Sequence, residues 1–102
     1  MRIVKPARVR ESRTAYPDAD LALAAWLKVA RNAQWSSIRD VRSAYPHADA
    51  VSVRSGRTVT VFNVSGNKYR LILAIHYKWS MIYVLRFLTH AEYDKGKWKE
   101  QL

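Results

Sequence analysis

The sequence predicts an α+β domain: N-terminal helices packed on a small antiparallel sheet, with a short C-terminal helix. Three observations carry this. Ala- and Leu-rich segments with helical spacing fill the first half. From residue 51 onward β-branched and aromatic residues dominate, punctuated by Ser55-Gly56 and Ser65-Gly66. Helices followed by a run of consecutive strands is the α+β order rather than the alternation of a parallel sheet. With 102 residues the chain fits one domain, spanning 1–102.

Each element has a local reason. Arg2 to Val4 reads as a short first strand. Pro6 suits the first turn of a polar helix over about 5–16, because proline lacks the N–H that such a position leaves unused. Tyr16-Pro17 ends that helix, since a residue before proline resists the α region. Asp18 or Asp20 can cap the next helix, residues 20–34. There Leu23, Trp26, Leu27 and Ala30 repeat at i, i+3, i+4 and i+7, the stripe of a packed face. On that spacing Trp26 is read as core rather than as a base-stacking platform. Ser36 or Ser37 starts a third short helix ending near Tyr45-Pro46. Ala-Tyr-Pro recurs at 15–17 and 44–46 as shared punctuation, not as a repeat. Strands are expected at 51–54, 57–64, 67–77 and 80–88. Thr89 and Glu92 then stand at capping-box spacing for a final helix.

Composition narrows the chemistry. There is no cysteine, which excludes disulfides, thiolate metal sites and a thiol nucleophile. His47, His76 and His90 lack metal-ligand spacing, so neither a metal nor a cofactor is expected. Apolar runs such as Leu71 to Ile75 are far too short to span a bilayer, and the first residues lack a signal peptide's apolar stretch. A cytoplasmic protein with no membrane partner is the expectation. Formal net charge is +10 and the isoelectric point about 10.3. Such self-repulsion is tolerated where the partner is anionic, and nucleic acid comes first.

The polar residues inside apolar strands are the candidates for function. If Ser65-Gly66 form a two-residue turn, Asn63 pairs with Lys68, and Asn63, Lys68 and Arg70 share one face. Arg70 and Arg86 each interrupt an apolar strand, where a guanidinium must pair, reach water or meet an anion. A three-residue loop at 78–80 opposes Ile72 to Arg86 and joins the two arginines. A two-residue turn at 78–79 opposes Leu71 to Arg86 and separates them. His90 and Tyr93, at i and i+3, share one side of the last helix. Arg70, Arg86, His90 and Tyr93 form a set sufficient for RNA cleavage without a metal. A base takes the 2′-hydroxyl proton, the arginines stabilise charge at phosphorus, and an acid protonates the leaving 5′-oxygen. Bland alternatives stand beside this: each arginine on a solvated face or paired to a carboxylate, and His90 an exposed helix-start residue. Trp79, Trp98, Tyr77 and Tyr83 lie among Lys78, Lys95, Lys97 and Lys99, a mixture suited to single-stranded RNA.

Three stretches then resemble the HigB toxin family: Tyr45-Pro46-His47-Ala48-Asp49, Val61-Phe62-Asn63-Val64-Ser65-Gly66-Asn67-Lys68-Tyr69-Arg70-Leu71, and Thr89-His90-Ala91-Glu92-Tyr93-Asp94-Lys95. The resemblance covers roughly residues 15–100. It implies a RelE-like fold and an endoribonuclease that cuts mRNA during translation on the ribosome. It also implies neutralisation by a HigA-like antitoxin with a helix-turn-helix domain. By position it assigns Arg70, Arg86, His90 and Tyr93 to catalysis. Asn63, Asn67, Lys68, Lys78, Lys95 and Lys97 are expected to contact RNA. Two other classes remain: a non-catalytic RNA-binding module, and a ParE-type toxin acting on DNA gyrase.

Overall fold

The computed structural model describes all residues, 1–102. Five helices and a five-stranded sheet make up an α+β fold. The strands are β1 (Arg2–Val4), β2 (Asp49–Ser52), β3 (Thr58–Val64), β4 (Tyr69–His76) and β5 (Met81–Thr89), in the order β1-β5-β4-β3-β2. Strands β2 to β5 form an antiparallel meander, and β1 adds in parallel at the β5 edge. The helices are α1 (Ala7–Ala15), α2 (Asp20–Asn32), α3 (Ile38–Ala44), α4 (His90–Lys95) and α5 (Lys97–Gln101).

The sheet has a core on each side. Helices α1 to α3 cover one face, and the anticipated stripe of Leu23, Trp26, Leu27 and Ala30 is buried there. Phe62 is its hub, with ring centroids 5.9 Å from Trp26, 6.4 Å from Trp35 and 5.2 Å from Tyr45. Trp26 is therefore a core side chain and no stacking platform. The smaller core joins Val53, Val59, Val61 and Ile72 to Trp98 of α5. Alternation along β3 and β4 sends Phe62, Leu71 and Leu73 to the first face and Val61 and Ile72 to the second. Leu71, Ile72 and Leu73 are all buried because the sheet is covered on both sides.

Helix ends differ in detail from expectation. Pro6 is the residue before α1 rather than within it, and α2 begins after a 3₁₀ turn at Pro17–Ala19 without a side-chain cap. Ser37 precedes α3, while Ser36 donates to Asp40 at 2.7 Å. The first meander strand runs two residues earlier than anticipated. The Thr89–Glu92 capping box is present, with Glu92 N–H donating to Thr89 Oγ1 at 3.2 Å and Thr89 N–H to Glu92 Oε1 at 3.0 Å. Gly96 at φ 74° ends α4 in the left-handed region open to glycine and starts α5.

Two registers decide the site. The β3–β4 connection is a four-residue turn, 65–68, and not the two-residue turn expected. Asn63 therefore lies opposite Arg70 and Val64 opposite Tyr69. Ser65 and Gly66 both take positive φ, so the turn needs more chain than a Ser-Gly pair. The β4–β5 connection is also longer than expected, four residues at 77–80 flanked by His76 and Met81. Continued unbroken, that register would set Arg86 opposite Leu71 and turn it to the helical face. A bulge intervenes: Leu73 opposes Val84, and Ile72 opposes Arg86. Leu85 is the extra residue, and Arg86 returns to the face of Arg70.

Candidate active site

The site is built on the second face, at the sheet end where β5 runs into α4. Arg70 is only 8% exposed, and both terminal nitrogens of its guanidinium are hydrogen-bonded. One terminal nitrogen donates to the carbonyls of Asn67 at 3.2 Å and Tyr69 at 3.0 Å. The other donates to Asn67 Oδ1 at 2.5 Å. The Tyr93 ring lies 5.4 Å from the guanidinium carbon, and Trp98 stacks on the far side of Tyr93 at 5.2 Å. Trp98 Nε1 donates to the Tyr93 carbonyl at 3.0 Å, tying α5 to α4. The result is a layered column of cation, phenol and indole in contact.

Arg86 stands beside this column. It is half-buried and spends one N–H on the Leu85 carbonyl at 2.7 Å, leaving other donors free. It lines a cavity of about 260 Å³ with Leu88, Glu92, Lys95, Lys97 and Trp98. Neither arginine, nor Lys95 or Lys97, takes part in an ion pair. Three cations thus converge on one concavity whose single carboxylate, on Glu92, is engaged in the helix cap.

His90 opens α4, where its backbone N–H extends the sheet by donating to the Lys68 carbonyl at 2.8 Å. Its Nε2 lies 3.0 Å from Asp94 Oδ2, and Nδ1 is shielded without a partner. No hydrogen bond or ion pair links His90 to either arginine. Burial raises the Tyr93 phenol above its usual pKa of 10, helped by Asp49, and nearby Arg70 only partly offsets this. A phenolate favoured by neighbouring cations is therefore not what this environment makes.

Over residues 19–96 the sequence matches a family described as HigB toxin, the RelE-like toxic component of a toxin–antitoxin system. The chain belongs to the HigB toxin family. It is also 32% identical over 95 residues to a protein named mRNA interferase HigB from Escherichia coli O6:H1 (strain CFT073). That alignment covers 93% of this chain and 90% of the relative. A family of toxic components implies an antitoxin as partner. No helix in this HigB family member is long and apolar enough to cross a membrane.

Of the residues singled out in the sequence, Arg70, Arg86, Tyr93, Lys95 and Lys97 gather at this end of the second face. Asn63 is exposed opposite Arg70, and Asn67 serves as the clamp on Arg70. Lys68 is diverted. The four-residue turn takes it off the strand, and its ammonium pairs with Asp18 at 3.0 Å. Lys78 lies at the opposite end of β4, its ammonium 5.2 Å from the exposed Trp79 ring. Sequence reasoning gave Trp98 no definite place, yet it is the wall of the cavity and the anchor of α5. Its spacing from Tyr93, five residues across Gly96, carried no periodic signal.

Proposed function

We propose that this HigB family member is an endoribonuclease that cuts mRNA during translation by attack of a 2′-hydroxyl on the adjacent phosphorus. The cavity carries the reading: Arg86, Lys95 and Lys97 face one space without carboxylate partners, walled by Trp98 of the aromatic column. The name of the Escherichia coli relative, mRNA interferase, supports it.

Roles follow from the contacts. Arg86 has unspent donors aimed into the cavity and stabilises the charge that develops on the phosphoryl oxygens. Arg70 is buried with both terminal nitrogens bonded to Asn67 and Tyr69, and acts by holding Tyr93. Tyr93 remains a neutral phenol at physiological pH and donates a hydrogen bond rather than abstracting a proton. His90 carries the proton. Asp94 faces Nε2 and orients the imidazole. His90 does not line the cavity and its Nδ1 is shielded, so this role requires the imidazole to turn away from Asp94 toward the 2′-hydroxyl when RNA binds. The attacking oxygen displaces the 5′-oxygen, which takes up a proton, leaving a 2′,3′-cyclic phosphate and a 5′-hydroxyl.

Induced expression should arrest growth, and the purified protein should cut mRNA in a translating extract with those two end groups. Arg86→Ala should lower cleavage by about 10²–10³ while the protein stays folded. Intact translated mRNA at high levels of soluble wild-type protein would refute the reading. Binding without product would move it to a non-catalytic RNA-binding module.

A further inference from the structure

Strand β1 pairs only with the first three residues of β5, Met81 to Tyr83. Beyond Val4 the chain turns away at Lys5, with φ 56°, and enters α1. The β5 edge from Val84 on is left open there. Arg8 reaches across it from the first turn of α1, and its Nη1 donates to the Leu85 carbonyl at 2.9 Å. That oxygen also accepts from Arg86 Nη1 at 2.7 Å. One carbonyl at the bulge thus gathers two guanidinium groups.

A second cavity of about 160 Å³ lies here, lined by Lys5, Arg8, Tyr83, Leu85 and Arg86 among others, with no acidic residue. Arg86 lines both cavities. Lys5 and Arg8 are exposed and form no ion pair. Like charges held this close without a counter-ion are an arrangement that an anion completes, and guanidinium groups match phosphate geometry. Both residues precede the segment matched by the family, 19–96.

We infer that Lys5 and Arg8, the latter anchored by the bulge carbonyl, form a second phosphate-holding track, which seats single-stranded RNA on the side of Arg86 away from Lys95 and Lys97. The track rests on the ribonuclease reading and lengthens its substrate. The strand enters along one cavity, presents its scissile phosphate at Arg86 and leaves along the other. The bulge joins the two tracks, because Leu85 holds Arg8 and Arg86 through the same oxygen.

The test is a salt titration of binding. The probe is a twelve-nucleotide 2′-O-methyl RNA strand, in which the attacking hydroxyl is blocked, and a duplex of the same sequence is the second arm. Lys5→Ala and Arg8→Ala should each reduce the slope of log affinity against log salt by about 0.7, the value for one phosphate contact on a single strand. Arg8→Lys should keep the wild-type slope. Lys5 makes no side-chain hydrogen bond, so its variant stays informative even if Arg8→Ala loosens α1. Wild-type slopes in both alanine variants, or changes seen only with the duplex, would overturn the track. If the wild type still cuts mRNA in extract under those results, only the track fails. A wild type that neither binds the strand nor cuts mRNA removes both proposals.

Discussion

Arg70 and Arg86 look alike in sequence, each a cation inside an apolar strand, yet their surroundings separate them. Arg70 is buried and clamped by Asn67 and Tyr69 through both terminal nitrogens, so it resembles a structural strut under Tyr93. Arg86 keeps donors for a ligand. Tyr93 divides the same way between hydroxyl and ring. Its raised pKa removes the phenolate from consideration at neutral pH, and its ring contacts Arg70 and Trp98. Tyr93→Phe should therefore keep cleavage within about threefold of wild type, whereas Tyr93→Ala should lose tenfold or more, about the worth of one aromatic pair. A wild-type rate that keeps rising with pH into the alkaline range, with that rise lost in Tyr93→Phe, would return the phenol to the role of base.

At the scale of elements, α4 and α5 are short helices held by few contacts. Neither is long enough to be stable alone. The Thr89–Glu92 box and the buried Trp98 secure them. Thr89→Ala should cost about 1 kcal/mol and Trp98→Ala about 3–5 kcal/mol, both read from urea unfolding. Trp98→Ala should also open the cavity wall and abolish cleavage. On the opposite face the β3–β4 turn is fastened to the 3₁₀ turn before α2. Asp18 accepts from Tyr69 Oη at 2.7 Å and from Lys68 Nζ at 3.0 Å. These bonds lower the Asp18 pKa, Tyr69 first and Lys68 second, and the Asp18 bond raises that of Tyr69. A depressed carboxyl stabilises the fold above its unfolded pKa near 3.8, and that contribution disappears as pH falls through the lower folded value. A raised phenol contributes below its unfolded value near 10, and loses that contribution as pH climbs through the folded one. Asp18→Asn should flatten both limbs of stability against pH, measured by unfolding at pH 3, 7 and 10.5. Unaltered limbs would show that the pair is not linked to folding.

For the whole molecule, what was legible in the sequence was what local rules govern. The α2 stripe, the capping box and the order of helices before strands needed only neighbours in the chain. The registers did not follow, because the partners that decide them are distant. Two serines accept positive φ in turns longer than the glycine pattern indicated. The bulge left one trace: Ile82 and Val84 face the helical core, and Phe87 returns to it at an odd interval, where strict alternation would have placed residue 86. Lys68 was unreadable for a different reason, since its partner Asp18 lies fifty residues away. The site was legible as a set of residue types, but not in how their donors are divided.

The four tryptophans are distributed unequally across the sheet. Trp26 and Trp35 lie in the helical core, Trp79 is in water, and Trp98 alone walls the cavity. In a Trp79→Phe background, emission that responds to added oligonucleotide would come from the one indole at the cavity, and the two on the far side would give a constant baseline. The protein thus carries its own optical gauge of occupancy, readable by stopped flow without a dye, and entry of a strand can be timed separately from its scission.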